Sequence, residues 1–164
     1  MLNHVLFRND DGASAVEFAL VAPMVIALMF ATIEIGAMEM MSGNLDASII
    51  SAARMIRVGD PNRATSEAAF ANQVCANIAD SSANCAARLA VSVVTYPTFA
   101  AVGQAATSTP DGTFDVSSAG QIVLVKATYT WPLVLPLYLG GFKTTGANQA
   151  VLSTSTIFKT EPYQ

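Results

Sequence analysis

One carboxylate, Glu17, lies inside an apolar stretch that is long enough to cross a membrane. Residues 13–33 are 21 positions with no other charged side chain, and a helix of that length rises about 30 Å, the thickness of the hydrocarbon core of a bilayer. An ionised side chain there costs on the order of 3 kcal/mol or more. We therefore expect Glu17 to be functional and to have a positively charged partner.

A partner for Glu17 would be created if the chain were cut after Gly12. Ala13 would then carry a free α-amino group, whose pKa of about 8 makes it a cation at neutral pH. Gly12 followed by Glu17-Phe18 resembles the processing site of type IV prepilin-like proteins, which a membrane prepilin peptidase cuts after the glycine. In such families the acid meets the free amine of a neighbouring subunit in the fibre.

Three segments narrow this resemblance to one family. The sequence Ala15-Val16-Glu17-Phe18-Ala19-Leu20 followed by Pro23, the segment 120–133 and the ending 158–163 are similar to the TadE-like proteins of tight-adherence (Tad) pilus systems. The resemblance implies a minor pilin or pseudopilin without a cofactor, in which Gly12 and Ala13 form the processing site and Glu17 and Phe18 serve assembly. It also implies as partners a prepilin peptidase, other Tad pilins and the inner-membrane assembly platform.

Two other interpretations of the N-terminus stay open. A secretory signal peptide has an apolar core of about 7 to 15 residues without acids, and Asp10, Asp11 and Glu17 conflict with that pattern. An uncleaved anchor fits the apolar stretch, because a glycine five residues before an acid is common. The chain would then be a single-pass envelope-binding or adhesin-like domain.

Composition indicates one small domain beyond the anchor. The chain has 164 residues, 52% of them hydrophobic and 12% charged, with a net charge of −4, so it has no basic surface for nucleic acid. We expect a leader at 1–12, a transmembrane part at 13–37 and an extracytoplasmic domain at 38–164. The expected location is the bacterial inner membrane, with the domain in the periplasm or outside. Incorporation of the subunit into the pilus is one of the roles left open.

Helical periodicity continues beyond the membrane stretch. Apolar residues recur at intervals of three and four, which predicts an amphipathic helix as far as Val58; they are Met41, Leu45, Ile49, Ala53 and Ile56. Gly59-Asp60-Pro61 predicts its end, and Pro23 predicts a kink. A second helix is predicted over 63–79.

The second half of the chain predicts a sheet. Alternation and β-branched residues indicate strands at 89–94, 123–131 and 151–158. The predicted fold class is α+β, with a long membrane-spanning helix, a second helix and an antiparallel sheet of three or four strands. The connection 96–120 is predicted to be a long loop that is either functional or mobile; it is where an anchored binding domain would hold a partner.

Cys75 and Cys85 predict a disulfide, because they are two cysteines, ten positions apart, in a region expected outside the cytoplasm. Two free buried thiols are the alternative. A zinc site fits poorly, since the only histidine, His4, lies in the leader. We expect no metal.

The residues give little support to an enzyme. Without the leader there is no histidine for a Ser-His-Asp or Cys-His arrangement, and Asp111 and Asp115 are too few ligands for calcium. We therefore expect no catalytic residues.

Residues 131–139 have no charge and two prolines, so they should not form a regular central strand. They either pack across the sheet or against the long helix, or form a contact surface for the bilayer or a neighbouring subunit. The candidate interface residues are Trp131, Leu133, Leu135, Leu137 and Tyr138.

Overall fold

The computed structural model describes residues 11–78, 82–134 and 148–162, without the side chains of residues 11, 82, 83 and 104. The leader residues 1–10 and three predicted interface residues, Leu135, Leu137 and Tyr138, lie outside the described residues. The elements are α1 (Asp11–Val58), α2 (Glu67–Cys75), α3 (Ser82–Arg88), β1 (Leu89–Tyr96), α4 (Phe99–Ala105), β2 (Ile122–Pro132) and β3 (Gln149–Lys159). The predicted α+β class is confirmed. The chain divides into two compact units, one ending at Gly36 and one starting at Ala37.

Helix α1 ends where the sequence predicts. Gly59 has a φ of +69°, a conformation that glycine adopts without the steric penalty of a Cβ atom. Its N–H donates to the carbonyl of Ile56 at 3.2 Å, and the N–H of Asp60 donates to the carbonyl of Met55 at 2.9 Å. These two bonds form a Schellman motif, which satisfies carbonyls that the last turn would otherwise leave unpaired.

In the second unit α1 buries one apolar stripe. All five residues that the periodicity predicted are buried, together with Met38, Ser48 and Ala52. Their removal from water is the main force that holds this part of α1 in the domain, at about 25 cal/mol for each Å² of apolar surface.

The sheet is antiparallel with strand order β1-β2-β3. Each strand is longer than predicted by two or three residues in total, and β2 continues through Trp131 to Pro132. Trp131 was predicted to be strand, and Pro132 extends that strand by one residue. Neither has a central position in the sheet, as expected for the start of 131–139, because β1 pairs with β2 only as far as Tyr129. Beyond it β2 pairs with β3 alone, and a proline is tolerated where no second neighbour needs its N–H.

Both faces of β2 are buried from Ile122 to Ala127, because α4 covers the face that carries Ile122 and Leu124. Val102 of α4 packs with Ile122 and Leu124, and Tyr96 and Ala105 lie against this cluster. The connection 96–120 was predicted to be a long loop. It contains the helix α4 instead.

The rest of this connection covers the outer edge of β1. The N–H of Val93 donates to the carbonyl of Thr113, and the N–H of Asp115 donates to the carbonyl of Val93, both at 2.8 Å. The Asp115 carboxylate accepts from the N–H of Thr95 at 2.9 Å and from its hydroxyl at 3.1 Å. Asp111 stabilises the turn that precedes Thr113, because its carboxylate accepts a hydrogen bond from the N–H of Thr113. This bond lowers the pKa of the Asp111 carboxyl.

Helix α2 is shorter than the predicted range of 63–79. Ser66 starts it, because its hydroxyl accepts from the N–H of Ala69 and its backbone is extended. The segment from Ser82, predicted as a turn, forms the short helix α3. Seven small and polar residues have no apolar period that would indicate a helix.

A disulfide joins Cys75 at the end of α2 to Cys85 in α3, with 5.7 Å between the Cα atoms. Both residues are fully buried. The predicted pairing is confirmed, and the alternative of two free thiols is excluded.

Replacing both cysteines by alanine should lower the free energy of unfolding by about 3 kcal/mol, because the unfolded chain regains the entropy of an open loop. Urea unfolding of the full chain in detergent micelles measures this. Wild-type protein treated with reductant is the matched control, since it keeps the side-chain volumes. Equal unfolding midpoints for oxidised and reduced protein would contradict the prediction.

Candidate functional site

The first unit is a helix that is apolar on all sides. Its large side chains are exposed in every direction around the axis, from Val16 to Ile33. Only 11% of its most apolar window is buried inside the protein, so it is not the core helix of a soluble domain. Its length and composition fit one membrane crossing, and single-pass anchoring is the structural role that they support.

The predicted processing and assembly residues all lie in this helix. Gly12, Ala13 and Glu17 are exposed, and Phe18 is 73% exposed. Within the described part of the chain, no hydrogen bond or ion pair reaches the Glu17 carboxylate. The helix continues through Pro23, where the missing N–H leaves the carbonyl of Ala19 without its usual donor. A kink at this position remains a prediction.

Glu17 and Ala13 are one helical turn apart. Four residues correspond to a rise of about 6 Å. Two parallel helices shifted by that distance would therefore bring the Ala13 position of one level with the Glu17 carboxylate of the other.

The two predicted interface residues that the structure describes lie in the second unit. Trp131 is half-buried, and the N–H of Leu133 donates to the carbonyl of Asn148 at 2.9 Å. Trp131 borders a groove of about 290 Å³, here named the Trp131 groove. It is lined by Ala37, Met40, Met41, Asn44, Arg88, Tyr129, Trp131 and Pro132. Trp131 and residues of the long helix therefore line the same groove, which fits both the packing alternative and the contact-surface alternative.

A second groove runs between the end of α1 and β3. It has a volume of about 460 Å³, and Ile50, Arg54 and Phe158 are among its lining residues. Arg57 and Glu161 form an ion pair of 3.4 Å there, with both side chains about half exposed. An exposed pair of this kind contributes little to stability. Over residues 11–78, 82–134 and 148–162, no three His, Cys, Asp or Glu side chains cluster as metal ligands would.

Sequence reasoning missed the role of Lys126. It is one of the polar residues that alternate with apolar ones along β2, yet it is only 6% exposed. Its ammonium donates to the Ser108 hydroxyl at 2.7 Å and to the carbonyls of Ser108 and Ala105 at 3.3 and 3.4 Å. These acceptors hold the segment after α4 on the sheet. The signal for this role is the single charge inside an apolar strand, since buried charges need partners.

Lysines placed in the apolar stretch should remove the protein from the membrane. Ile26→Lys with Phe30→Lys adds two charges to lipid, at about 3 kcal/mol each, which is on the order of a 10⁴-fold change in the insertion equilibrium. Resistance of the membrane fraction to alkaline carbonate measures insertion. Ala47→Lys with Ile50→Lys is the matched control on the same helix, since all four positions are exposed. Equal resistance of both variants would argue against a membrane-spanning segment.

Comparison with known proteins agrees with this description of the N-terminal helix. The family model described as TadE-like protein matches residues 12–54. A search of curated proteins and a search of solved structures gave no match. The matched range includes the processing and assembly positions, the apolar stretch and most of the buried stripe of α1. The segments 120–133 and 158–163 lie outside the matched range. The resemblance is thus confirmed for the N-terminal segment, since residues 12–54 of this chain match the TadE-like family.

Proposed function

We propose that this protein is a TadE-like minor pilin or pseudopilin that takes part in the assembly of a Tad-type (type IVc) pilus. The observation that carries the proposal is the exposed carboxylate of Glu17 inside an all-apolar helix, within the range that the family model matches. The match supports a pilin-like role in a Tad pilus. Peptidase processing, the membrane concerned and the partners belong to our proposal.

In this proposal the apolar helix first stores the subunit in the inner membrane. Exposed apolar side chains from Val16 to Ile33 contact lipid there. The domain lies in the periplasm or outside, where an oxidising environment allows the Cys75–Cys85 bond. Storage needs no catalysis, and the proposed role is not enzymatic.

Cleavage after Gly12 then creates the partner for Glu17. A prepilin peptidase would release the leader and leave Ala13 as an ammonium terminus. The cut removes only the first two residues of α1, so the membrane-length part of the helix survives it.

Pairing between neighbours would then set the register of assembly. The Glu17 carboxylate of one subunit and the Ala13 amine of another Tad pilin neutralise each other when their helices are offset by about 6 Å. Removing two charges from water offsets much of their attraction, and the pair is better at selecting one register than at adding stability. Helix-to-helix contacts replace lipid contacts as the subunit leaves the inner-membrane platform.

The structure does not favour the alternative, an uncleaved anchored domain that binds a partner through 96–120. Helix α4 and Lys126 tie this connection to the sheet, and Asp115 ties it to β1. Several of its backbone and polar groups are thereby bonded inside the domain.

The mature chain should begin at Ala13. Mass spectrometry of the intact protein from membranes of cells that build pili measures its N-terminus. Gly12→Val is the control, because a branched side chain at the cleavage position should block the peptidase and preserve the leader. A wild-type chain that begins at Met1 or Leu2 would contradict processing.

Glu17→Ala should leave membrane insertion intact and impair pilus assembly by about tenfold or more, the effect of losing at least 1.4 kcal/mol of selective pairing. Glu39→Ala is the matched control, since Glu39 is another exposed acid of α1 that lies outside the apolar stretch. Pilus yield and membrane content are measured together. Normal pili in the Glu17 variant would count against the mechanism.

A further inference from the structure

The Trp131 groove has apolar lining residues that the described part of the chain leaves exposed. Met40 is 70% exposed. Ala37 is also exposed, and Trp131 is only half-buried. Large exposed apolar groups gathered at one place on a small domain indicate a contact surface.

The position of Met40 along α1 indicates what this surface contacts. The membrane stretch ends between Ile33 and Ala37, so Met40 follows it by four to ten ångströms at about 1.5 Å per residue. The headgroup layer on each side of the hydrocarbon core is about 5–8 Å thick. Met40 therefore leaves the membrane within this layer or at its border, and any tilt of the helix places it nearer to the lipid.

Trp131 must share that depth, because it lines the same groove as Ala37 and Met40. Tryptophan is enriched at membrane interfaces, where the ring contacts apolar groups and the indole N–H reaches water. Ring and helix thus converge on one layer of the bilayer from distant parts of the sequence.

We propose that the Trp131 groove is a membrane-interface surface and that phospholipid of the headgroup layer occupies it. The argument for lipid rather than a second protein is the short distance along the chain: the groove residues Ala37 and Met40 follow Ile33, the last residue of the lipid-facing stretch, within seven positions. The contact holds the domain at the bilayer surface before any assembly occurs. This proposal rests on single-pass anchoring, but not on leader cleavage or on the formation of a fibre.

Trp131 is the only tryptophan of the chain, so intrinsic fluorescence reports on this groove alone. The full chain is inserted into phosphatidylcholine vesicles whose acyl chains carry bromine either near the headgroup or near the chain end. Relative to unbrominated vesicles, shallow bromine should lower the emission at least about twofold, and more than deep bromine does, as expected for an interfacial ring. Met40→Glu, an exposed position, should weaken this quenching.

The matched control moves the tryptophan to the opposite face of the sheet. Phe99→Trp combined with Trp131→Phe uses an exposed position at the start of α4, and its emission should respond little to bromine at either depth. Quenching of Trp131 no stronger than in this control, or strongest with deep bromine, would overturn the proposal. So would unchanged quenching in the Met40 variant. Any of these results would leave the pilin proposal intact, because that proposal is tested by the N-terminus and by Glu17.

Discussion

One continuous helix, α1, carries two kinds of side-chain surface, and the protein depends on that continuity. From Val16 to Ile33 the helix exposes large apolar side chains around its axis, which only lipid or other apolar helices can cover. From Met38 to Ile56 it buries a single stripe against its own domain. A helix satisfies its internal backbone polar groups in either surrounding, so no break is needed between the two parts.

The same constraint explains why Glu17 is informative. A carboxylate on a soluble helix is solvated and has no special meaning. In a segment without other charges its solvation must come from a partner, and the chain supplies none among the described residues. A terminus created by cleavage is a cation of the right kind, one turn away along the axis. The matched TadE-like range contains both positions.

Much of the fold could be predicted from sequence where a long period existed. The stripe from Met41 to Ile56 and the three strands each repeat a pattern over many residues. The glycine that follows the stripe marks where the helix ends. Helices α3 and α4 could not be predicted, because they are short runs of small residues without periodicity. The burial of Lys126 depends on a distant segment that covers the second face of the sheet.

The candidate site also has a part that could be predicted from the sequence and a part that could not. Glu17 could be recognised from its immediate neighbours, since its meaning comes from their lack of charge. Trp131 could be named as a candidate interface residue from its uncharged segment. Its place beside Met40 could not be predicted, because these two residues line one groove only in the folded chain.

The last described residues return to the end of α1. The N–H of Glu161 donates to the carbonyl of Arg57 at 2.9 Å, beside the ion pair of the same two residues. The end of α1 is thereby hydrogen-bonded to the segment that follows β3. Strand β3 itself pairs with β2 over eleven residue pairs. Tension applied along the helix is consequently shared between the covalent chain that follows Val58 and the ladder of β3 on β2, where many hydrogen bonds resist shear together.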